Sequence, residues 1–236
     1  LDDRTVVLID EAGMTDDRSL LRLLTAVDHA RAKAVMIGDH RQLSAVGPGG
    51  SLEALIARHP DAVHVLDQNI RQPDPAERAA LEHLRNGDPK AAVDWYAMNG
   101  RIATSPTRTD TIRAAVEAWS RDREAGRETI LLAWRRADVA ALNRAARADQ
   151  ITRGQVTGPE LEAPGGRCYA VGDKIVMLTP DLNRRWVTSE RGHVTAVNDQ
   201  TLTVRFDHDR DVTLSGAEIN NDHLDHAYAL TVHRTQ

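Results

Sequence analysis

The chain has 236 residues, 41% hydrophobic and 28% charged, with a formal net charge of −5. That length can bury a substantial core and accommodate more than one domain, and the negative balance argues against a surface that clamps nucleic acid all over, leaving room for a local basic groove. The single cysteine, Cys168, excludes a disulfide scaffold within the monomer and fits a reducing, cytoplasmic setting, and no run is apolar and long enough to read as a membrane segment.

No basic-then-apolar leader opens the chain, and the start at Leu1 without Met points to a segment of something longer. The cations are nearly all arginine; Lys33, Lys90 and Lys174 are the only lysines. Arginine suits phosphate contacts, but a GC-rich genome explains the bias as well.

In chain order, Val6-Val7-Leu8-Ile9 predicts a short strand buried on both faces of a parallel sheet. Asp16 then caps a helix with Leu20, Leu21, Leu23, Leu24 and Val27 at helical spacing. Ala34 to Ile37 predicts a second strand, Ser51 to Arg58 a helix and Val63-His64-Val65-Leu66 a third strand. Helices follow over 74–85 and 89–98, broken at Asn86-Gly87-Asp88, and over 111–123 with Ala115, Val116 and Trp119 inward. A strand over 128–133 and a helix over 137–148 complete an alternating α/β pattern.

Near Thr157 the texture changes, with breakers at Gly158-Pro159 and Pro164-Gly165-Gly166. Strand-like runs then recur over 174–178, 192–197, 201–206 and 211–214, as in a small antiparallel barrel of the SH3 kind. Ala227 to Val232 returns to a strand, so the small β unit reads as an insertion in the second α/β block. Cys168 reads as a half-buried strand residue.

Two strand ends carry the chemistry. The run Val6 to Ile9 ends in Asp10-Glu11, and ligands of open α/β sheets sit beyond the carboxyl ends of strands. There an Asp can hold Mg²⁺ and a neighbouring Glu can orient or deprotonate a water. Alone, this Walker B pattern also fits an ordinary acidic turn. The next strand ends in Gly38-Asp39-His40-Arg41-Gln42-Leu43 on the same sheet edge, where the Gln42 amide can sense a γ-phosphate.

Together these stretches resemble motifs II and III of superfamily 1 helicases. Asp67-Gln68-Asn69-Ile70-Arg71-Gln72 is similar to their motif IV, and Tyr228 to Gln236 resembles motif V. Ile130 to Asn143 also looks like the opening of their second motor domain. The order of these motifs covers essentially the whole chain and is closest to the RecD-like branch, including the helicase halves of conjugative relaxases of the MobF/TraA type. The resemblance implies RecA-like parallel sheets in two motor lobes, the first incomplete, with an inserted SH3-like β barrel. The first lobe would end at 72, the second would run over 73–157 and return over 223–236, and the insertion would occupy 158–222.

The implied function is an ATP-dependent, Mg²⁺-requiring helicase or translocase on single-stranded DNA in plasmid mobilisation. A RecD-like exonuclease subunit in DNA repair, or a decayed motor serving as a DNA-binding scaffold, are the alternatives; conjugation or repair proteins would be partners. Asp10 would bind Mg²⁺, Glu11 act as base, Gln42 couple phosphate to motion and Arg71 offset developing charge. Asp39 and Gln236 would lie near the nucleotide. Thr231, His233, Arg135, Arg184 and Trp186 would face DNA, the last two through the Asn183-Arg184-Arg185-Trp186 tip, which reads equally well as a solvated loop anchored by its Trp. Arg234 and Thr235 depart from the usual Lys and Ser of motif V, and Ser44-Ala45 from the prolines often seen after motif III.

No Gly-x-x-x-x-Gly-Lys-[Ser/Thr] loop occurs within the 236 residues, so the isolated chain is expected to turn ATP over negligibly. His223-x-x-His226 lacks partners at metal spacing and reads as surface or packing histidine. Asp207 to Asp211 reads as a hairpin turn rather than a Ca²⁺ loop.

Overall fold

The computed structural model describes residues 1–43, 45, 47–66, 69–181, 183, 185–220 and 223–232. The chain divides into two compact units, 1–103 and 104–236.

In the first unit, β1 (Val6–Ile9) pairs in parallel with β2 (Lys33–Met36), from Val6↔Lys33 to Ile9↔Met36. Between them runs α1 (Asp17–His29). It starts where Asp16 turns extended and its carboxylate accepts the Ser19 amide at 3.0 Å, which satisfies one of the otherwise orphaned N–H groups of the first turn. Leu20 and Val27 are the buried residues of that helix. Ile9, Ala12 and Leu20 form the core with Leu52 of α2 (Ser51–Arg58).

Next come α3 (Pro75–Arg85) and α4 (Pro89–Met98). Each begins with a proline whose missing N–H costs nothing there, after an Asp cap, Asp74 or Asp88. The Tyr96 hydroxyl donates to Glu77 at 3.3 Å, tying α4 to α3. Both helices belong to the first compact unit.

Two expectations for this unit fail. Val63 to Leu66 is not a strand: it pairs with no described strand, and Leu66 is 97% exposed. A continuous apolar run marks a buried strand only where a neighbouring ladder receives it, and the described sheet here has only β1 and β2. For the same reason β1 is not buried on both faces; Val6 and Leu8 are exposed while Ile9 is buried.

The second unit opens with α5 (Arg108–Glu124), capped by Thr107, then β3 (Leu131–Ala133) and α6 (Arg136–Thr152). A hairpin follows, β4 (Thr157–Ala163) against β5 (Arg167–Val171). Gly158-Pro159 does not break β4 but lies inside it, where the register shifts between Thr157 and Leu161; a proline is tolerated at such an edge irregularity.

The remaining strands are β6 (Lys174–Met177), β7 (Arg191–Asn198), β8 (Thr201–Phe206), β9 (Asp211–Ser215) and β10 (Leu224–His226), with α7 (Gly216–Asn220) between β9 and β10. They form one antiparallel sheet in the order β10-β6-β7-β8-β9. Among the described residues no pairing joins β9 to β10, so the ladder stays open rather than closing into a barrel. Its inward positions alternate as expected for a sheet with one buried face: Leu202, Val204 and Phe206 of β8 meet Val212 and Leu214 of β9, with Tyr169 and Trp186 beside them.

Finally β11 (Ala229–Thr231) returns to lie parallel to β3, Ala229↔Leu131 to Thr231↔Ala133. The β unit is thus spliced between two adjacent strands of an α/β core built on Val116, Trp119, Leu142, Ala146 and Tyr228.

Two buried polar clamps hold the splice. Asp173, wholly inaccessible, accepts from Arg147 Nε at 3.0 Å, the Ala170 amide at 2.7 Å and the Tyr228 hydroxyl at 2.6 Å. Asn143 of α6 accepts the Ala229 amide at 2.7 Å and donates to the His226 and Ala229 carbonyls at 3.1 and 3.2 Å. Gly172, at φ +95°, makes the tight entry to β6; a Cβ there would lie 2.0 Å from the Gln155 carbonyl oxygen. Cys168 is half-buried in β5, with burial pushing its thiol up. His226 is buried against Tyr169, its ring nitrogen at 3.1 Å from the Cys168 carbonyl, a packing histidine.

Removing one partner of a buried pair leaves the other charge uncompensated, which costs about 3–5 kcal/mol. Asp173→Ala is therefore expected to lower the urea-unfolding free energy by about 3 kcal/mol. Arg205→Ala, which breaks the exposed Arg205–Asp211 pair, should leave the midpoint where it is.

Candidate functional site

The carboxyl ends of β1 and β2 are sewn together. The Ile37 amide donates to the Ile9 carbonyl at 2.8 Å, and the Ala12 amide donates back to the Ile37 carbonyl at 2.9 Å. The exchange carries the ladder beyond the strands and brings the turn after Ile9 against the turn after Ile37. Such proximity leaves little space for a side chain at 38: a Cβ on Gly38 would meet the Ala12 and Gly13 nitrogens at 3.0 and 3.1 Å. Asp10-Glu11 and Asp39 to Gln42 therefore emerge from adjacent strand ends on one edge.

Asp10 is exposed, and its Oδ1 accepts the Glu11 amide at 3.0 Å. Glu11 sits in the left-handed region, φ 49° and ψ 41°, before a short 3₁₀ turn over Ala12–Met14. A non-glycine there is uncommon and costs roughly 1–3 kcal/mol, and such strain concentrates at functional sites. Its carboxylate is exposed.

Asp39 is the hub of the second turn. Its carboxylate accepts the Arg41 amide at 3.0 Å, the Gln42 side-chain amide at 3.2 Å and the Arg85 guanidinium at 3.0 Å. Burial pushes the carboxyl up, but the Arg41 amide, the Gln42 amide and Arg85 outweigh it and hold it below the usual range. Gln42 is thus oriented by Asp39 at the solvent-exposed edge.

Arg85 escaped sequence reasoning. It ends α3, 46 residues from its partner, and carries no motif; only the packing of α3 in the first unit reveals it.

Arg71 is exposed, its backbone shaped by Asn69, whose side-chain oxygen accepts the Arg71 amide at 3.1 Å. Among the described residues no hydrogen bond or ion pair links Arg71 to the strand-end cluster. Asp67 and Gln68 of the same motif lie outside the described residues, as do Arg184, His233, Arg234, Thr235 and Gln236.

In the second unit, Thr231 ends β11 opposite Ala133, and Arg135 is exposed two residues beyond the end of β3. The two share the carboxyl end of the β3–β11 pair. Exposed Trp134 stands between β3 and Arg135, another residue that sequence reasoning passed over although a Trp beside two arginines was legible.

Trp186 corrects its expectation. It is 2% exposed in the core of the antiparallel sheet, its indole N–H donates to the Thr179 carbonyl at 3.0 Å, and Arg185 covers its ring. A base could stack on it only by opening that core, so it anchors its loop. Among the described residues no group of three or more His, Cys, Asp and Glu is arranged to hold a metal by itself. Mg²⁺ bound by one or two carboxylates with substrate phosphates needs no such cage.

Residues 1–107 match the family described as AAA domain. Over its whole length the chain is 32% identical to a probable conjugal transfer protein TraA of Sinorhizobium fredii (strain NBRC 101917 / NGR234), across 22% of that protein. It is 32% identical, with the same coverage, to the conjugal transfer protein TraA of Agrobacterium fabrum (strain C58 / ATCC 33970). The chain thus spans about a fifth of the length of these curated relatives. The fold matches the Pif1 helicase from Bacteroides in complex with ADP-AlF3 and ssDNA, TM-score 0.58 at 18% identity, covering 98% of this chain and 62% of that one. Bacteroides Pif1 bound to ssDNA matches with TM-score 0.57 at 20% identity, over 98% of this chain and 62% of that one.

The chain resembles superfamily 1 helicases, in particular the helicase portion of conjugative relaxases. Its mixed α/β architecture with parallel strand pairs is that of the RecA-like helicase fold. No helix among the described residues is long and apolar enough to cross a membrane.

Because a methyl group on Gly38 would press the Ala12 and Gly13 amides at 3.0 and 3.1 Å, Gly38→Ala should lower stability by about 1–3 kcal/mol by easing the two turns apart. Thermal unfolding of the chain measures it; an unchanged Tm would mean that the turns are not held at contact distance.

Proposed function

We propose that the chain is part of an ATP-driven motor that moves on single-stranded DNA, working in the cytoplasm within a protein of plasmid conjugation. The observation that carries this reading is the shared edge on which a strained Glu11, Asp10 and an Asp39-oriented Gln42 stand beside one another.

Asp10 keeps an exposed carboxylate suited to Mg²⁺, with its Oδ1 steadied by the Glu11 amide. ATP with Mg²⁺, when bound, supplies the phosphoryl group and neutralises part of its charge. Glu11 accepts the proton of the attacking water, its Cα–Cβ bond aimed by the left-handed backbone. Gln42, aligned by Asp39 and Arg85, reports the presence of the terminal phosphate to the rest of the motor. Arg71 offsets charge on the transferring phosphoryl group, a role worth ~10³-fold or more in related motors.

Thr231 and Arg135, on one end of the β3–β11 pair, contact the phosphate backbone of the strand. The spliced antiparallel β unit grips the strand, and the two lobes follow the order of the motifs, as in RecD-like motors. In the relatives named above, conjugal transfer is the stated role, and the Pif1 structures hold ssDNA; both support this assignment.

The test is Glu11→Gln in a TraA-length protein containing this chain. Turnover is expected to fall by ~10³-fold or more, with nucleotide affinity within a few-fold of the parent. Retained hydrolysis removes Glu11 from the role of base. The 236-residue chain alone is expected to show no steady ATP hydrolysis above background in a phosphate-release assay, since the phosphate-cradling loop is not in its sequence.

A further inference from the structure

An open cleft of about 670 Å³ lies wholly in the second unit, between the α5–β3 connection and the β6–β7 edge of the antiparallel sheet. Arg123, Arg127, Lys174, Arg191 and His193 line it, against two carboxylates, Glu128 and Asp207. In a chain of net charge −5, this is a local excess of cations.

The carboxylates quench only part of it. Arg127 is held by Asp122 at 2.5 Å, and Arg191 stands 3.7 Å from Asp207. Arg123 donates to Gln150 at 2.7 Å and lies over the Trp119 ring at 4.9 Å, so its charge has no carboxylate partner there. The Lys174 amine makes no hydrogen bond or ion pair among the described residues. Burial, then Arg123 and Arg191, push that amine down, opposed by Asp207 and Glu128. Thr129, in the same wall, has a buried Oγ1 with no hydrogen-bond partner among the described residues. Lys174 is half-buried, and a partly desolvated cation without a partner is stabilised when an anion meets it.

We propose that this cleft binds the phosphodiester backbone of a nucleic-acid strand, separately from the strand end that carries Thr231. Glu128 to Ile130 precede β3 and Ala227-Tyr228 precede β11, so the cleft lies at the amino ends of those parallel strands while Thr231 and Arg135 lie at the carboxyl ends. The cations come from α5, the connection after it, β6 and β7 rather than converging from one loop, which suits a chain of phosphates more than one compact phosphate. Trp119 is only 4% exposed and offers no stacking face, so contact is with backbone and independent of base sequence. A machine that separates two strands has use for a second backbone contact. The nature of the polyanion rests on the motor reading above; the cleft and its charge do not.

The lysine count makes the test direct. Lys33 and Lys90 are exposed and belong to the first unit, so they serve as internal controls for Lys174. The chain is pulsed with an amine-acetylating reagent, with and without oligo-dT at a concentration shown by fluorescence anisotropy to be saturating, and each lysine is followed by mass spectrometry. Lys174 acetylation should slow by ~3-fold or more at low salt and recover at high salt, as backbone contacts do, with Lys33 and Lys90 unchanged. Protection should persist in Arg135→Gln. In Lys174→Gln the slope of log affinity against log salt should flatten by about 0.7, one phosphate contact to a single strand.

Unchanged Lys174 reactivity at oligonucleotide saturation overturns the cleft while leaving the motor reading standing. No oligonucleotide binding at any salt overturns both. Loss of protection in Arg135→Gln overturns the claim of a separate site. Protection by inorganic pyrophosphate but not by oligo-dT assigns the cleft to a small phosphate ligand and overturns the strand.

Discussion

The first unit depends on one exchange of backbone hydrogen bonds, Ile37 to Ile9 and Ala12 to Ile37, beyond the last paired residues of β1 and β2. A parallel pair ordinarily lets its strand ends diverge into separate loops. Here the ladder continues through the turns, and Gly38 permits it because no side chain intervenes. Everything polar at this edge inherits its position from that contact: the Asp10-Glu11 step on one turn, and the Asp39 hub with Gln42 and Arg85 on the other. The strain at Glu11 has a physical source in the same place, since the chain must reverse within one residue to deliver the Ala12 amide to Ile37.

The second unit solves a different problem, that of interrupting a parallel strand pair with an independent sheet. β3 and β11 are remote in sequence, so their pairing carries a large loop-closure cost. Asn143 answers it by copying a peptide group: its side chain accepts from and donates to the returning backbone at Ala229. Asp173 links the entrance of the spliced sheet to α6 through Arg147 and to the return segment through Tyr228. These are directional contacts in a dry setting, so they specify one docking geometry where apolar packing alone would allow several.

Much of this was legible. Apolar runs ending in carboxylates located β1 and the turn after it, and capping residues marked the starts of α1, α3 and α4. Alternation found β7, β8 and β9, because those strands bury one face only. What escaped had physical causes. Val63 to Leu66 has the composition of a buried strand but no described ladder to join, and composition does not record partners. The β4–β5 hairpin was obscured because Gly158-Pro159 reads as a break, although an irregular edge strand absorbs it. Trp186 looked available for stacking because its neighbours are arginines, yet its ring is the anchor of the local core. At the candidate site, motif residues could be named one by one, but Arg85 could not, since its role arises from helix packing 46 residues away from Asp39.

In the proposed motor, metal-bound nucleotide would sit against the joined turns after β1 and β2. Iron-directed cleavage tests it most directly. In a TraA-length protein containing this chain, Fe²⁺ replaces Mg²⁺ with ATP, and ascorbate and peroxide generate radicals that cut the backbone near the metal. The account predicts nucleotide-dependent cuts within 10–14 and 38–42, both from the same bound metal. Cuts confined to other segments, or at one turn without the other, would contradict it.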